Sequence, residues 1–544
     1  MLRSPVFVST SLCCGFVAAF IWSIVHQTGG MFVYSLDDSY IHLAEAHTLA
    51  VYHLWGIGPF GFATASSSPI WTVLLATLER VAGLHIATPI VLNVFFTFGI
   101  FYAAEKGIER FVPRTPVWAR YVLGVLIILV TPLPNIVLMG MEHVAQAFSI
   151  LSLVLLAVEI LMQDSDVETE AWKGGLFCFM AALAGALRYE AAFAVGPIFL
   201  LLLWRRRVGL AIGIAVSAAI GPAVFGLYSH HVSGYWTPYS VMAKSQAAGG
   251  MIGNLRTNGM GLFNWKIGLP VLLTLLPIWL LRLRSRGFWE PAQLLLLLTF
   301  LISVIHILLG PVLYWILRYD SYFVCLRLFA FFVVFADEVW QRGEERWTFA
   351  GLPGWEKGVA GVACAGLLLC VPVFGRRVQI GLFDPVRAAV DRYHEHIQMV
   401  RFIGTYYDHD LVMVNDIGAL ALFTHAHLLD ILGLGSVEPL LPALHGRKFD
   451  ADDVVAWGEE KDAPIALLSS GAPTIQKITP KKWTLVQTWL LPRNVAYYNF
   501  NLSLYALKPS AIPRLCASLA DFRLVPEDKI IYDACPKSEA RTRK

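Results

Sequence analysis

Residues 5–38 read PVFVSTSLCCGFVAAFIWSIVHQTGGMFVYSLDD, an apolar run followed closely by two adjacent aspartates. The run at about 5–26 is long enough to cross a bilayer, which takes about 20 apolar residues. A cleaved signal peptide would instead show a short apolar core and a small-residue cleavage site. We therefore expect an uncleaved first span with its N-terminus inside, and Asp37 and Asp38 just beyond its outer end.

The composition of the whole chain is that of a membrane protein. Of its 544 residues, 57% are hydrophobic and 15% are charged, whereas soluble domains are about 25% charged. Mean hydropathy is +0.60. The net charge of +3 is small, and no basic run with interleaved aromatic residues occurs, so we expect no nucleic-acid partner.

The eight cysteines form neither a CxxC pair nor a zinc-type spacing. Six of them fall in apolar segments, where packing explains them. Cys516 and Cys535 lie in the last segment of the chain. They can form a disulfide if that segment is extracytoplasmic, and the sequence leaves this open.

Basic residues decide the orientation of the spans, because Lys and Arg mark the cytoplasmic side. The basic clusters are Lys106/Arg110/Arg114/Arg120, Arg205/Arg206/Arg207, Arg282/Arg284/Arg286 and Arg342/Arg346. All four fall on the cytoplasmic side only if the apolar piece at 69–84 is a juxtamembrane or re-entrant helix within the first outer loop, 27–87. The eleven remaining spans are about 5–26, 88–108, 119–137, 145–162, 173–188, 192–204, 208–228, 266–283, 289–309, 323–340 and 356–374.

The tail at 375–544 has ordinary polarity and is long enough for a core of its own. Its segment 411–432, LVMVNDIGALALFTHAHLLDIL, is typical of strand, helix and strand. Segments 463–470 and 497–507 predict further strands. The predicted fold is thus an α-helical polytopic membrane domain, residues 1–374 with about 11 transmembrane helices, followed by a C-terminal α/β extracytoplasmic domain.

Ionisable residues gather in every predicted outer loop, and such residues at a membrane are functional candidates. They are Asp37, Asp38, His42, Glu45, His47, Glu142, His143, Arg188, Glu190, Lys244, Arg318, Asp320 and Arg327. We expect one outward-facing cavity lined by both carboxylates and cations. This mixture suits transfer of a sugar from a polyprenyl phosphate: cations hold the phosphate leaving group, and a carboxylate takes the proton of the acceptor hydroxyl.

Structural roles compete with these functional ones. Asp37 or Asp38 can cap the helix that starts near Ser39. Glu142 and Glu190 can form ion pairs with Arg188 or Arg318, and Lys244 can be an interfacial lysine. His42 and His47 can be interfacial polar groups. Carboxylates together with His42 can also hold a divalent metal, whose ligands remain unknown.

Motifs over nearly the whole chain resemble the GT-C superfamily of integral membrane glycosyltransferases, which use polyprenyl-phosphate sugars. The chain is similar in particular to the bacterial branch that contains terminal arabinofuranosyltransferases. The matching elements of the membrane part are Asp37-Asp38-Ser39-Tyr40-Ile41, Ser67-Ser68-Pro69-Ile70-Trp71, Gly140-Met141-Glu142-His143, Leu187-Arg188-Tyr189-Glu190, Gly234/Pro238/Lys244 and Arg318-Tyr319-Asp320-Ser321-Tyr322. Those of the tail are Asn415, Asp416, Gly418, Ala419, Asp430, Gly433 and Leu434.

The resemblance implies a role for each of these sites. It places the catalytic base on Asp37 or Asp38, with a slight preference for Asp37, and implies juxtamembrane helices in the first outer loop. The residues that it implies for substrate binding are Tyr40, His42, Glu142, His143, Arg188, Glu190, Lys244, Arg318 and Tyr319. His143 replaces a small hydroxyl residue of the family pattern and Tyr189 replaces a proline, so the donor or acceptor differs from arabinofuranose and arabinan if these positions contact substrate.

The predicted function is an inverting glycosyltransferase of the bacterial plasma (inner) membrane. It takes a sugar, a pentofuranose such as arabinofuranose, from a polyprenyl-phosphate donor to a cell-envelope glycan or lipid acceptor on the outer face. No cofactor is required by the sequence, and a divalent metal is one option. The alternatives are a transporter or lipid-linked sugar flippase, which places polar groups near mid-depth, and a membrane-anchored binding protein whose outer domain binds a ligand.

Overall fold

The computed structural model describes residues 4–164, 169–247, 260–264, 266, 268–310, 316–342, 353–444, 446–492, 495 and 501–536. Most of the chain is helical. The helices are α1 Pro5–Gln27, α2 Asp38–Tyr52, α3 Pro69–Ala82, α4 Thr88–Phe111, α5 Val117–Val130, α6 Leu133–Leu138, α7 His143–Met162, α8 Ala171–Leu187, α9 Ala192–Trp204, α10 Val208–Ser233, α11 Tyr239–Ala247, α12 Gly268–Ser285, α13 Pro291–Leu309, α14 Ser321–Ala336, α15 Gly354–Arg392, α16 Gln398–Tyr406, α17 Gly418–Phe423, α18 Leu441–Leu444, α19 Ala451–Glu460, α20 Pro473–Ile478 and α21 Ile512–Asp521. The strands are β1 Leu411–Val414, β2 His427–Asp430, β3 Ile465–Leu468, β4 Thr484–Leu490, β5 Asn501–Ala506 and β6 Lys529–Asp533.

Each of the eleven predicted spans lies on a helix. Among the described residues, six helices are long and apolar enough to cross a membrane: Pro5–Gln27, Thr88–Phe111, His143–Met162, Val208–Ser233, Pro291–Leu309 and Gly354–Tyr406. Four shorter apolar helices are Val117–Val130, Ala171–Leu187, Tyr189–Trp204 and Gly268–Leu283, and α14 adds 16 further residues. The multi-pass helical class is confirmed, and the count of eleven crossings stays a prediction.

Two predicted spans differ from the observed helices. The span at 119–137 is broken after Val130, because Pro132 lacks the N–H that a continuing helix needs. The last span, 356–374, does not end where its apolar run ends. Helix α15 continues to Arg392 and, through a wider turn at Tyr393–Ile397, into α16. The change in polarity near 374 therefore marks no break in the backbone, and the predicted domain boundary falls inside a helix.

The first outer loop, residues 27–87, contains two packed helices. Helix α3 has 14 residues, about 21 Å at 1.5 Å per residue, and unlike the equally short α5 it is not among the apolar helices that could contribute to a crossing. Its Trp71 and Leu75 pack against Ala46 and Ala50 of α2. The piece at 69–84 is thus a helix lying on its neighbour, as the basic clusters require.

Contacts among the basic clusters place them at one end of the helix bundle. Arg205 Nε donates to the Leu161 carbonyl at 3.1 Å, and Arg114 Nη1 donates to the Gln341 carbonyl at 2.9 Å. Arg282 pairs with Asp337 in the same region as Gln341. This shared end supports the predicted arrangement, in which the clusters lie on one side of the membrane and the acidic loops on the other.

The tail forms a six-stranded mixed sheet in the order β2-β1-β3-β5-β4-β6. The strands β2, β1 and β3 are parallel, and the others pair antiparallel. The predicted strands at 411–432, 463–470 and 497–507 contain β1, β2, β3 and β5, whereas β4 and β6 were missed. Separate apolar cores cover the two faces of the sheet, so we call residues 407–536 the sheet domain. Cys516 and Cys535 form a disulfide within it.

Candidate functional site

Residues from five parts of the chain line a small cavity of about 50 Å³ where the first outer loop meets the helix bundle and the sheet domain. Its polar and charged lining residues are Asp38, His42, Ser66, Ser67, Arg188, Arg318 and Tyr319. Five of the predicted site residues are among them: Asp38, His42, Arg188, Arg318 and Tyr319. The prediction that separate loops converge on one cavity therefore agrees with the structure for these five.

Asp38 and Arg318 form an ion pair at the cavity wall. Arg318 Nη1 lies 2.5 Å from Asp38 Oδ2, and the Asp38 side chain is 34% exposed whereas that of Arg318 is 5% exposed. Arg318 also donates to the Tyr319 hydroxyl at 2.8 Å and to Met141 Sδ at 3.0 Å. Among the described residues, none accepts a hydrogen bond from Arg318 Nε. The pair combines an accessible carboxylate with a buried guanidinium that has a donor to spare.

Arg188 is held in place by two buried carboxylates. Its Nη1 donates to Glu142 Oε1 at 2.6 Å, and its Nη2 and Nε donate to the two oxygens of Glu190 at 2.7 and 3.2 Å. This two-point contact fixes the plane of the guanidinium. The competing prediction that Glu142 and Glu190 form ion pairs is confirmed, and through them Arg188 is oriented at the cavity.

The Tyr319 ring contacts both guanidinium groups. The Arg318 and Arg188 guanidinium carbons lie 4.7 and 5.4 Å from its centroid, within the range of cation–π attraction. The His143 ring packs edge-on against the same ring at 5.7 Å. Tyr319 thus offers an attractive contact to both cations of the cavity wall.

A polar chain runs from Glu142 into the first outer loop. His42 Nε2 lies 3.3 Å from Glu142 Oε2, and His42 Nδ1 lies 3.0 Å from Ser66 Oγ. The Ser66 N–H donates to Glu45 Oε1 at 3.0 Å. His42 therefore connects the carboxylate that orients Arg188 to a second buried carboxyl group, Glu45.

Burial of Glu45 predicts a pH-dependent stability. Burial raises the pKa of this carboxyl to about 7. The Ser66 N–H and His42 lower the pKa but only partly offset the effect of burial. The folded chain then holds a proton that the unfolded chain releases near pH 4.5. The unfolding free energy falls as pH rises through this window, by about 3 kcal/mol. Thermal unfolding of wild type and Glu45→Gln across the window should show a steeper decline with pH in the wild type than in the variant, and parallel curves would contradict it.

Asp37 points away from the cavity and into the sheet domain. Its side-chain oxygens accept hydrogen bonds from the N–H groups of Gly418, at 2.6 Å, and Ala419, at 2.9 Å. It sits at the N-cap position of α2 but makes no side-chain bond to that helix. Asp37 therefore does not make the predicted side-chain cap of α2, and its carboxylate instead accepts from the first N–H groups of the short helix α17 in the sheet domain. The preference for Asp37 over Asp38 as the base is not supported by this geometry.

Gly418 permits the close approach of the two domains at Asp37. A Cβ added to Gly418 would lie 2.8 Å from Ile41 N and 2.9 Å from Asp37 Cγ, and closer still to the Asp37 carbonyl oxygen. Gly418→Ala should lower the unfolding free energy by about 1–3 kcal/mol, because the new methyl group would force backbone atoms of the first outer loop to shift. Thermal shift and limited proteolysis check this. In the control Gly404→Ala the new methyl meets only Thr424 Cγ2 at 3.6 Å, and equal effects of both changes would contradict it.

The other predicted residues have different surroundings. Tyr40 is buried and its hydroxyl accepts from the Tyr34 N–H at 3.0 Å, so it is a core residue beside the site. His47 lies 2.6 Å from Glu79, away from this cavity. Asp320 pairs with Arg377 at 2.5 Å, and Arg327 is buried over Phe374. Lys244 lies in helix α11, but its side chain is outside the described residues.

The other six lining residues had no role assigned from the sequence: Ile41, Ala65, Ser66, Ser67, Met141 and Leu434. Ile41, Ser67, Met141 and Leu434 stand inside motifs of the family resemblance, which was the available signal. Nothing in the sequence indicated that Leu434 of the sheet domain closes a cavity whose other walls belong to the membrane part.

A larger cavity of about 410 Å³ lies next to the small one, between the first outer loop and the sheet domain. Ala63 and Gly435 line it, and these residues are neighbours in sequence of Ala65 and Leu434 in the small cavity. Its walls combine aromatic rings with polar groups, including Phe60, His427 and Lys461. The two cavities thus adjoin along the same two segments.

Comparison with known sequences finds one family model, which covers part of the chain. A family model described as a domain of unknown function (DUF8728) matches residues 386–505, which include the end of α15 and much of the sheet domain. No curated protein sequence matches this chain significantly.

Comparison with solved structures identifies the fold. The chain is similar to ArnT from Cupriavidus metallidurans bound to undecaprenyl phosphate, with a TM-score of 0.51 and 12% identity over 92% of this chain and 99% of that one. For the apo state of the same protein the TM-score is 0.49, with 14% identity over 93% of this chain and 99% of that one. For an Archaeoglobus fulgidus oligosaccharyltransferase the TM-score is 0.46, with 11% identity over 91% of this chain and 74% of that one. The similarity to the first structure spans the membrane part and the sheet domain, and it confirms the GT-C-like fold that the sequence motifs predict.

Proposed function

We propose that this protein is a membrane glycosyltransferase that moves a sugar from a polyprenyl-phosphate donor to an acceptor hydroxyl. The observation that carries the proposal is the cavity in which an accessible carboxylate, Asp38, faces two buried guanidinium groups, Arg318 and Arg188. A phosphate leaving group needs such cations, and an attacking hydroxyl needs such a base. ArnT, similar in fold, binds undecaprenyl phosphate in its structure, which supports a polyprenyl phosphate as the lipid carrier here.

Asp38 is the proposed base. It takes the proton of the acceptor hydroxyl while that oxygen forms a bond to the anomeric carbon. The bond from the anomeric carbon to the phosphate oxygen breaks, and polyprenyl phosphate leaves with the electron pair. Attack from the side opposite the phosphate inverts the anomeric centre. The reaction needs no external acid, because the phosphate is already a good leaving group.

The guanidinium groups are proposed to hold the donor phosphate. Arg318 has a buried Nε donor without an acceptor among the described residues, and charge-assisted bonds to phosphate oxygens are strong. Arg188 is fixed by Glu142 and Glu190, so it acts as a preorganised charge. His42 and Tyr319 complete the donor wall, and the buried His143 supports the Tyr319 ring. Lys244 is the further cation that the resemblance implies.

The adjoining cavity of about 410 Å³ is the proposed approach for the acceptor. Aromatic faces and polar groups together suit a carbohydrate, because sugar rings present both apolar C–H faces and hydroxyl groups. The Phe60 ring stacks on His427 at 4.3 Å between centroids, and forms part of this wall. A pentofuranose such as arabinofuranose as donor sugar, a cell-envelope glycan as acceptor, and an outer-face site in the bacterial inner membrane follow from the family resemblance and are part of the proposal.

A transfer assay tests this proposal against the flippase alternative. The full chain is reconstituted in proteoliposomes with radiolabelled polyprenyl-phosphate sugars, pentofuranoses included, and with oligosaccharide acceptors. A transferase releases polyprenyl phosphate and labels the acceptor, whereas a flippase moves the intact lipid-linked sugar between leaflets. Movement of intact lipid without cleavage of the sugar–phosphate bond, for every donor, would overturn the proposal.

A further inference from the structure

A second cluster of polar groups lies outside the cavity, where three segments distant in sequence meet. Asp37 comes from the first outer loop, His396 from the turn that follows α15, and Asp416 from the segment after β1. One ligand atom from each lies within 4.8 Å of the other two. Asp37 and His396 are 3% and 2% exposed, and the Asp416 side chain is 14% exposed, so two of the three groups are shielded from solvent.

His396 is the unusual member of the cluster. Its imidazole is buried, and neither ring nitrogen has a hydrogen-bond partner among the described residues. The nearest acidic atom is Asp416 Oδ1, 3.7 Å from its Nε2. A buried polar group is normally satisfied, so an imidazole placed between two carboxylates without a close partner indicates a further ligand.

Both carboxylates are oriented by groups behind them. Asp37 accepts one hydrogen bond on each oxygen, from the N–H groups of Gly418 and Ala419, so each oxygen keeps a second lone pair. Asp416 Oδ2 accepts from Asn415 Nδ2 at 2.5 Å and from Ser469 Oγ at 3.0 Å. Its other oxygen, Oδ1, faces His396. Such supporting hydrogen bonds are typical of metal ligands, whose orientation they fix.

The charges around the cluster favour a cation. Asp37, Asp416 and the neighbouring Glu395 are acidic, and Glu395 is joined to the cluster through Ser469 Oγ at 2.8 Å. Arg392 pairs with Glu395 and supplies the compensating guanidinium. Three carboxylates beside one guanidinium leave an excess negative charge, which either a divalent ion or a protonated His396 offsets, and burial of unpaired charge is costly.

We infer that Asp37, His396 and Asp416 bind a divalent cation that joins the first outer loop to the sheet domain. Two carboxylate oxygens and one imidazole nitrogen are a donor set for Zn²⁺ or Mn²⁺, because imidazole is a poor ligand for Mg²⁺ and Ca²⁺. Zinc ligands lie about 2.0–2.2 Å from the ion and therefore about 3.4 Å from one another in a tetrahedral site. The three ligand atoms, which lie within 4.8 Å of one another, draw together when the ion binds. This site is separate from the proposed transfer site, and the inference does not rest on the proposed function.

The site has a consequence for the adjacent residue. Asp37 is bonded through the backbone to Asp38, and α2 begins at Asp38. An ion that fixes Asp37 therefore holds the start of α2 against the sheet domain. Asp37, His396 and Asp416 are positioning residues in this account, and the first readout is metal content and stability rather than transfer.

Metal analysis of the purified full-length protein tests the inference. After dialysis against ZnCl₂ or MnCl₂ and removal of free metal, we expect a stoichiometric amount of bound zinc or manganese, and a lower unfolding temperature after EDTA treatment. Asp416→Asn and His396→Ala should lose the metal. Ser469→Ala, which removes only a supporting hydrogen bond, should weaken metal affinity about 10–100-fold in a chain that still folds.

The exposed trio Asp408, His409 and His425 is the matched control. It has a similar composition, and its ligand atoms lie equally close together, but its histidines are exposed. His425→Ala should leave the bound metal unchanged. Metal that is lost from His425→Ala and retained by His396→Ala would overturn the inference. Wild-type protein without stoichiometric metal, and insensitive to EDTA, would also overturn it, in favour of a protonated His396 between the two carboxylates.

Discussion

Asp38→Asn is expected to lower the rate of sugar transfer by about 10²–10⁴-fold, the usual contribution of a general base. The amide has nearly the same shape as the carboxylate but cannot take the acceptor proton. Asp38 is the carboxylate of the aspartate pair that lines the cavity. The measurement is kcat for transfer from a polyprenyl-phosphate sugar under donor and acceptor saturation, with thermal shift to verify folding.

The control for this change is Asp384→Asn. Asp384 lies 3.9 Å from Arg387 on the extension of α15, so it is another aspartate beside an arginine, but it does not line the cavity. Its substitution should leave kcat unchanged. A normal rate for Asp38→Asn would exclude Asp38 as the base. A loss confined to Asp37→Asn would restore the role to Asp37.

Arg318→Ala is expected to reduce kcat/KM for the lipid-linked donor by about 10–100-fold, since charge-assisted hydrogen bonds contribute about 1.5–3 kcal/mol. The guanidinium is buried at the cavity with a free Nε donor among the described residues. It also pairs with Asp38, so its loss changes the environment of the base. Arg318→Lys should retain part of the wild-type kcat/KM, because a lysine supplies the charge but not the fork of donors.

Two measurements separate the contributions of Arg318. Donor titration at saturating acceptor reports phosphate binding, and the pH profile of kcat reports the ionisation of Asp38. Arg376→Ala is the control, because Arg376 is an exposed arginine that donates to Gln379 at 2.7 Å and lies outside the cavity. Equal donor affinity for wild type and Arg318→Ala would remove Arg318 from the phosphate site.

Much of the fold could be predicted from local pattern. The apolar runs identify the helices, because burial of about 20 apolar residues in lipid outweighs the details of packing. The distribution of the basic clusters predicted that the segment at 69–84, which contains α3, does not cross the membrane. Strands β4 and β6 were missed. Strand β4 pairs with β5 and with β6, and neither pair is joined by a short turn with a hairpin signal. Strand formation depends on such partners more than helix formation does.

The candidate site could be predicted in part. Asp38, His42, Arg188 and Arg318 were identified because ionisable side chains beside a membrane are rare without a function. Leu434 and Ser66 could not be identified, since an ordinary apolar or hydroxyl residue acquires a role only from its neighbours. Likewise, the possible disulfide between Cys516 and Cys535 depended on a distance that the sequence does not contain.

The aspartate pair that follows the first span illustrates the division most clearly. The sequence determined that two carboxylates stand at the start of a helix outside a membrane span, because composition and length decide those facts. Only the tertiary structure decided that Asp38 faces Arg318 while Asp37 bonds to Gly418 and lies beside His396. Neighbouring residues at a helix start point in different directions, and the group that each one meets belongs to a segment hundreds of residues away. Folding, and not local propensity, brings those segments together.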